Sequence, residues 1–226
     1  LLFDLMLLDD RKDKRVSYLT TQKYVYYAHI EPYFRYSIIY ELDYSSLITF
    51  REHLIEKDLS NNTVNKIMIL LKKILDIAVR QQVLSDNPCS LIKKLPIIKR
   101  DMSFWTIQQF LIFDKCFHPD ETIFKLFFRI AFFTGMRKGE ILALRWQDID
   151  LDRGIIMVAR TVTKIGGREY FNDTKTKAGM RRISINQQLI NFFNQWKTQQ
   201  KEILKDYLID RENEEIRIFE MPPFRV

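Results

Sequence analysis

Arg137 is the residue of this chain best placed to do chemistry. It follows Gly135, where the backbone must turn, and it opens a short predicted helix from Lys138 to Arg145. A guanidinium held just after a turn at a helix start presents a fixed fork of donors to a phosphate. The first amides of the helix add to that attraction. In phosphoryl transfer the non-bridging oxygens gain charge on the way to a five-coordinate transition state, and a pre-aimed arginine stabilises that charge with little reorganisation. Glu140, one turn on, is read as a support that fixes the local geometry. The competing reading is that Arg137 only pairs with Glu140 on the surface, an interaction of about 0.3–0.5 kcal/mol.

A second basic group runs from Thr174 to Ile185 and contains Lys175, Lys177, Arg181 and Arg182. Lys175 and Lys177 are two residues apart and so share a face of an extended strand. Their ordinary reading is a solvated hairpin edge kept charged against aggregation. His29, His53 and His118 all precede Arg137, and none has an arginine three residues later; each reads as a surface or half-buried helix residue. Histidines, cysteines and carboxylates are not clustered at metal-ligand spacing, which argues against a metal nuclease. No metal and no cofactor is predicted.

The 226 residues, 46% of them hydrophobic, suffice for one large domain or two ordinary ones. A net charge of +7 and a pI near 9.3 suit a polyanion-binding surface, although position matters more than total. From Arg153 to Arg182 eight basic residues stand against two acids after Arg153's own turn, Glu169 and Asp173, and Lys93, Lys94, Lys99 and Arg100 cluster without any acid. From Lys205 to Glu220 the balance is acidic, so that end is not expected along phosphates. Cys89 and Cys116 are isolated thiols without a secretory signal and read as reduced packing residues in a cytoplasmic protein. The apolar start from Leu1 to Leu8 is too short to span a bilayer and reads as the first turns of a helix.

The elements that must position these residues follow from periodicity. Tyr24, Tyr27, Ala28, Ile30 and Phe34 recur at helical spacing within 20–34. Ser45 or Ser46 is expected to cap a second helix with Leu47, Phe50, Leu54 and Ile55 inward, and Ser60 a third. From Val64 to Val79 the stripe Val64, Ile67, Met68, Leu71, Ile74, Leu75, Ala78 and Val79 is the most regular in the chain, and Asp86-Asn87-Pro88 ends it. The expected organisation is a helical domain over 1–95, a basic linker over 96–103 and a second domain over 104–226. In the latter, Thr106 caps a helix to Phe113, and 119–133 is so rich in Phe that a buried helix is expected. Three short pieces, 155–158, 168–172 and 182–185, are expected to form one three-stranded antiparallel sheet. Helical spacing returns from Leu189 to Leu208, and 216–226 reads as irregular. The fold class is mainly α with a small antiparallel sheet (α+β).

The run Phe133-Thr134-Gly135-Met136-Arg137-Lys138-Gly139-Glu140-Ile141-Leu142-Ala143-Leu144-Arg145-Trp146-Gln147-Asp148-Ile149-Asp150 closely resembles the first arginine box of the tyrosine recombinase (phage integrase) family. The segment Thr174-Lys175-Thr176-Lys177-Ala178-Gly179-Met180-Arg181-Arg182 is similar to that family's hairpin with a catalytic lysine. Helical domain, linker, arginine box and lysine hairpin occur in the family's order, so the likeness covers nearly the whole chain.

The resemblance implies a helical core-binding domain followed by a catalytic domain that is incomplete at its C-terminal end. It implies that Arg137 is catalytic and that a lysine, Lys175 by position or Lys177 as its rival, protonates the departing 5′ oxygen. Glu140 supports them. Lys66, Lys73, Lys93, Lys94, Lys99, Arg100, Arg181 and Arg182 are the expected DNA contacts, with the 61–73 helix and the Arg-box region in the major groove and the two domains clamped on a duplex. The family's His-x-x-Arg box and nucleophilic Tyr do not follow Ile185, and Tyr207 is not taken as that nucleophile. This chain is therefore expected to bind double-stranded DNA without cutting it, while the reaction proceeds through a covalent 3′-phosphotyrosine in a tetramer around two duplexes. The chain alone is expected to be monomeric. A non-catalytic DNA-binding module of the same ancestry is the alternative.

Overall fold

The computed structural model describes residues 1–12, 14–98, 101–173, 179–205 and 215–220. The chain divides into two compact units, Leu1–Met102 and Ser103–Val226. Among the described residues no helix is long and apolar enough to cross a membrane.

The first unit is helical, with α1 (Leu2–Asp10), α2 (Val16–Val25), α3 (Glu31–Phe34), α4 (Tyr44–Glu56) and α5 (Asn61–Arg80). Between α2 and α3, Tyr26–Ile30 forms a π-helical turn. Pro32 explains it: without an N–H it cannot donate to the Ala28 carbonyl, so the ladder widens rather than continuing. The 20–34 helix expected from periodicity is thus found, starting earlier and interrupted by this turn.

The cap of α4 differs from expectation. Asp43, not Ser45 or Ser46, is the N-cap, accepting from the Ser46 backbone N–H at 2.8 Å while Ser46 Oγ takes the Asp43 N–H at 3.0 Å. Ser46 is the N3 residue of a capping box, so a serine pair read alone misplaces the cap by two or three residues. Ser60 caps α5 as expected, accepting from Thr63 N at 3.3 Å. The predicted stripe of α5 is buried except for Val79 near the helix end, which is half-buried, and Leu70 and Ile77 are buried with it. The stripe is wide because α5 is the central helix, covered by Phe3, Met6 and Leu7 of α1 and by Leu47, Phe50 and Leu54 of α4; Ile55, expected inward with these, is 37% exposed, since it follows Leu54 by one residue and so turns off the buried face.

The second unit carries α6 (Ile107–Asp114), α7 (Thr122–Thr134), α8 (Lys138–Leu142), five strands and α9 (Gln187–Lys205). Thr106 caps α6 in a capping box with Gln109. Buried Asp114 at the end of α6 receives Arg129 Nε of α7 at 2.6 Å, and the Arg129 guanidinium lies 3.4 Å from the centre of the Phe192 ring of α9. One arginine therefore joins three helices.

The strands are β1 (Ile149–Asp150), β2 (Ile155–Val158), β3 (Arg160–Ile165), β4 (Arg168–Asp173) and β5 (Arg181–Ser184). They do not make a single three-stranded sheet of the expected membership. β1, β2 and β5 form one antiparallel sheet in that order, whereas β4 pairs in a separate hairpin with β3, a strand absent from the sequence-based expectation. Gly166 and Gly167 close that hairpin with φ of +55° and +81°, the two-residue turn whose twist suits antiparallel neighbours and which favours glycine. The Phe-rich α7 is also less buried than expected. Leu126 and Ile130 are its buried residues, while Phe124, Phe128 and Phe133 are 59%, 40% and 40% exposed. The core of this unit is instead built from Leu126, Ile130, Met136, Ile141, Leu144, Trp146, Ile156, Val158, Leu189, Phe193, Trp196 and Ile218.

Candidate functional site

Helix α7 ends at Gly135, whose φ of +62° is left-handed, and this frees the chain to reverse before Met136 tucks into the core. Arg137 is extended and serves as the N-cap of α8. Its backbone N–H donates to Glu140 Oε2 and its Nη1 to Glu140 Oε1, both at 3.0 Å. The ion pair of the competing reading is therefore present, but it is not a surface pair on both sides. The Arg137 side chain is 81% exposed and that of Glu140 only 5%.

Buried Glu140 has a second partner. Arg181, the first residue of β5, donates Nη2 to Oε2 at 2.7 Å and Nη1 to Oε1 at 3.2 Å. One carboxylate thus lies between two guanidiniums, an exposed one and a half-buried one. Burial pushes the Glu140 carboxyl upward, but the hydrogen bonds from Arg181 and from the Arg137 backbone and side chain outweigh it and hold the group down at about 2. The same carboxylate holds the Arg181 guanidinium above its ordinary value.

Lys175 and Lys177 lie outside the described residues. The strands on either side of them are described: β4 is paired along its length with β3, and β5 is tied to the Arg box through Arg181. Arg182 is the neighbour of Arg181 on a strand and projects to the opposite face. It lines a shallow cleft with Gln147, Asp148, Asp150 and Arg153. Arg181 and Arg182 therefore do not address one phosphate together, a separation that follows from strand pleat.

The end of the Arg box is held by its own Asp148 and by residues that sequence patterning does not single out. Asp148 accepts the Arg145 N–H at 2.9 Å and Arg160 Nη2 of β3 at 3.1 Å. The segment 215–220 runs beside Leu144–Trp146, with Ile218 N donating to Leu144 O at 3.0 Å and Trp146 N to Ile216 O at 3.2 Å. Gln200 of α9 accepts Trp146 Nε1 at 2.7 Å and donates to the carbonyls of Arg217, Ile218 and Glu220. These are contacts across tens of residues, and the only sequence signal for them is a polar residue on the apolar face of α9.

In the first unit, Lys66 is exposed on α5, as are Lys93 and Lys94 beyond it. Lys73 is half-buried: its Nζ donates to Tyr18 Oη at 2.7 Å and lies 3.8 Å from Asp10 Oδ2. The Tyr18 hydrogen bond holds its ammonium above the usual value, so this lysine joins α5 to α2. Lys93 and Lys94 border a groove with Arg51 and Lys72, two cations to add to the predicted set. The extended segment that follows is strapped to α5, with Asn65 exchanging two hydrogen bonds with the Leu95 backbone and Asn61 donating to Pro96 O at 2.8 Å. Lys99 and Arg100 lie outside the described residues.

Comparison with known proteins places this geometry. Residues 102–216 match the model of the phage integrase family, and residues 7–95 match that of the phage integrase SAM-like domain. The ICEBs1 integrase of Bacillus subtilis (strain 168) is 39% identical over 194 residues, which is 86% of this chain and 53% of that protein. The prophage integrase IntR of Escherichia coli (strain K12) is 27% identical over 162 residues, 65% of this chain and 38% of that protein. The chain thus spans about half the length, or less, of these curated relatives. Among solved structures, the Tn1549 transposon integrase in complex with transposon right end DNA superposes with a TM-score of 0.72 at 21% identity, covering 97% of this chain and 70% of that one. A lambda integrase dimer bound to a COC′ core site gives 0.62 at 14% identity, covering 87% and 68%. With the arginine box and the SAM-like unit both matched, the chain belongs to the phage integrase family of tyrosine recombinases.

Proposed function

We propose that this chain is the DNA-binding and phosphate-positioning part of a site-specific recombinase, the integrase of a phage or mobile element. The observation that carries the reading is the exposed Arg137 guanidinium aimed by a buried Glu140. An arginine held at one end and free at the other is suited to a phosphate whose charge grows in the transition state. In this reading Lys175, with Lys177 as its rival, supplies the proton to the departing 5′ oxygen. A tyrosine attacks the phosphodiester to give a 3′-phosphotyrosine, and no metal or high-energy cofactor is required because the adduct retains the bond energy. Lys66, Lys72, Lys93 and Lys94 of the first unit, and Arg182 of the second, contact the backbone of double-stranded DNA; Lys99 and Arg100 join them from the linker. Four copies around two duplexes carry out the exchange. The structural neighbours were solved on transposon end DNA, on a core site and, for a lambda integrase tetramer, on a Holliday junction, which supports duplex DNA as the partner.

The 226-residue chain alone binds DNA without cutting it in this reading, since no histidine of the sequence is followed by arginine three residues later. With about six phosphates neutralised, log K falls against log salt with a slope of about −5, and a slope near zero overturns the reading. A covalent-trapping gel tests the chemistry, with the product of the whole gene on nicked attachment-site DNA beside this chain. A shifted band for the whole product, lost on Arg137→Ala while DNA affinity persists, is the expected result. DNA binding with no covalent band in either lane favours a binding module without catalysis.

A further inference from the structure

The carboxylate of Glu140 lies between two arginines, and the chemistry assigned to Arg137 uses only one of them. Glu140 is almost fully buried, Arg181 half-buried and Arg137 exposed. If Glu140 faced Arg137 alone, its two oxygens would have one cation to neutralise them, and the pair would sum to zero charge at the point where a phosphate must dock. Arg181 changes that sum. It engages both oxygens in a fork, Nη2–Oε2 at 2.7 Å and Nη1–Oε1 at 3.2 Å, the strong bidentate arrangement. Arg137 shares Oε1 through a single side-chain hydrogen bond at 3.0 Å. The group of three therefore carries one net positive charge, and that charge resides on the exposed member.

We propose that Arg181 is a positioning residue that acts through Glu140: by taking up the carboxylate's charge it leaves the Arg137 guanidinium free for a phosphate oxygen while Glu140 still aims it. This deepens the function proposed above and rests on it. It also replaces a direct DNA contact as the role of Arg181, because three of its five N–H donors are already engaged, two by Glu140 and one by Gly179 O at 3.4 Å. A buried carboxylate with no second cation would hold Arg137 more tightly than one already shared with Arg181.

The test is a titration of the intact chain with inorganic phosphate, followed through the side-chain Nε–H NMR signals of Arg137 and Arg181. In the unmodified chain the Arg137 signal moves with phosphate and that of Arg181 stays still. Arg181→Gln raises the apparent Kd read at Arg137 by on the order of fivefold, the scale of one lost elementary charge in a partly screened site. Arg181→Lys, which keeps the charge, and the pair Glu140→Gln with Arg181→Gln, which restores the sum, each stay within about twofold of the unmodified chain, as expected for a charge effect of this kind. A role confined to holding β5 in place predicts no such rescue by the double change. If the double variant binds no better than Arg181→Gln, or if the Arg181 signal itself follows phosphate, the inference is overturned. If Arg137 does not respond in the unmodified chain, the phosphate reading of Arg137 fails first, and the two failures are thereby told apart. Should Arg181→Gln not fold, the Lys variant and the Arg181 signal still decide.

Discussion

Gly139 of the Arg box lies against Thr161 of β3 with no room for a side chain: a Cβ at that position would sit 2.4 Å from Thr161 Oγ1 and 2.7 Å from the Val162 carbonyl oxygen. The threonine hydroxyl can turn away, but the carbonyl is backbone, so α8 and β3 must part. Helix propensity alone favours alanine over glycine by up to about 1 kcal/mol, whereas overpacking costs about 1–3 kcal/mol. Gly139→Ala is therefore expected to destabilise the second unit and to speed amide exchange in β3. A rise in the unfolding midpoint would show that the contact yields at no cost.

Gln200 makes the second fastening of the Arg box. It is 2% exposed, accepts the Trp146 indole N–H and donates to three carbonyls of 215–220. Gln200→Leu keeps the volume and leaves a buried indole N–H without its partner, at about 1–3 kcal/mol for each buried group left unpaired. The expected result is a lower unfolding free energy with faster exchange at Ile218 N–H, which donates to Leu144 O. Unchanged exchange at Ile218 would mean that Trp196, whose Nε1 reaches Ile218 O at 2.6 Å, holds the segment unaided.

The parts of the molecule legible in the sequence are those whose causes are local. Arg137, Glu140 and the left-handed Gly135 lie within six residues, so spacing alone reveals them, and the α5 stripe is readable because every third or fourth residue is apolar. Arg181 reads as a DNA contact because its partner Glu140 is 41 residues away, and only strand register brings the two together. Strand β3, Arg160–Ile165, escapes the sequence pattern although Thr161, Val162, Thr163 and Ile165 are β-branched, because Gly166-Gly167 looks like a separator until its partner strand is known. The exposure of Phe124 and Phe128 is hidden for a different reason. Composition reports that a helix is apolar and says nothing of which of its faces is covered.

Arg217 couples the hairpin to the rest of the unit. Its Nη1 lies 2.8 Å from Glu169 Oε2 of β4 and its guanidinium carbon 5.4 Å from the Phe171 ring centre, while its backbone bridges to Arg145. Both charged side chains are partly solvated, so the ion pair contributes about 0.2–1 kcal/mol and the ring contact about 0.5–1 kcal/mol. A double-mutant cycle of Arg217→Gln with Glu169→Gln is expected to give a coupling of a few tenths of a kcal/mol up to about 1. Amide exchange in β4 should rise more than global stability falls. Equal changes in both would mean that the hairpin opens only when the whole unit unfolds.

The low carboxyl value of Glu140 fixes the sign of an acid effect. Its folded-state value of about 2 lies below the ordinary 4.5, so the unfolded chain binds a proton there before the native one does. Its contribution to stability is fully present above about pH 4.5 and is lost as the pH falls toward about 2. That contribution is on the order of 3 kcal/mol, since a tenfold difference in acidity between the folded and unfolded states is worth about 1.4 kcal/mol. Glu140→Gln removes this part of the pH dependence. The unfolding free energy of the variant should therefore fall less steeply than that of the unmodified chain between about pH 4.5 and about pH 2.5, the two curves drawing together in acid. Near neutral pH the amide cannot reproduce the double ion pair, so the variant is expected to be the less stable chain there. Parallel curves over the acid interval would show that the carboxylate is no better held in the native state than in the unfolded one, and the bridge from Arg137 to Arg181 would then lack the strength its geometry implies.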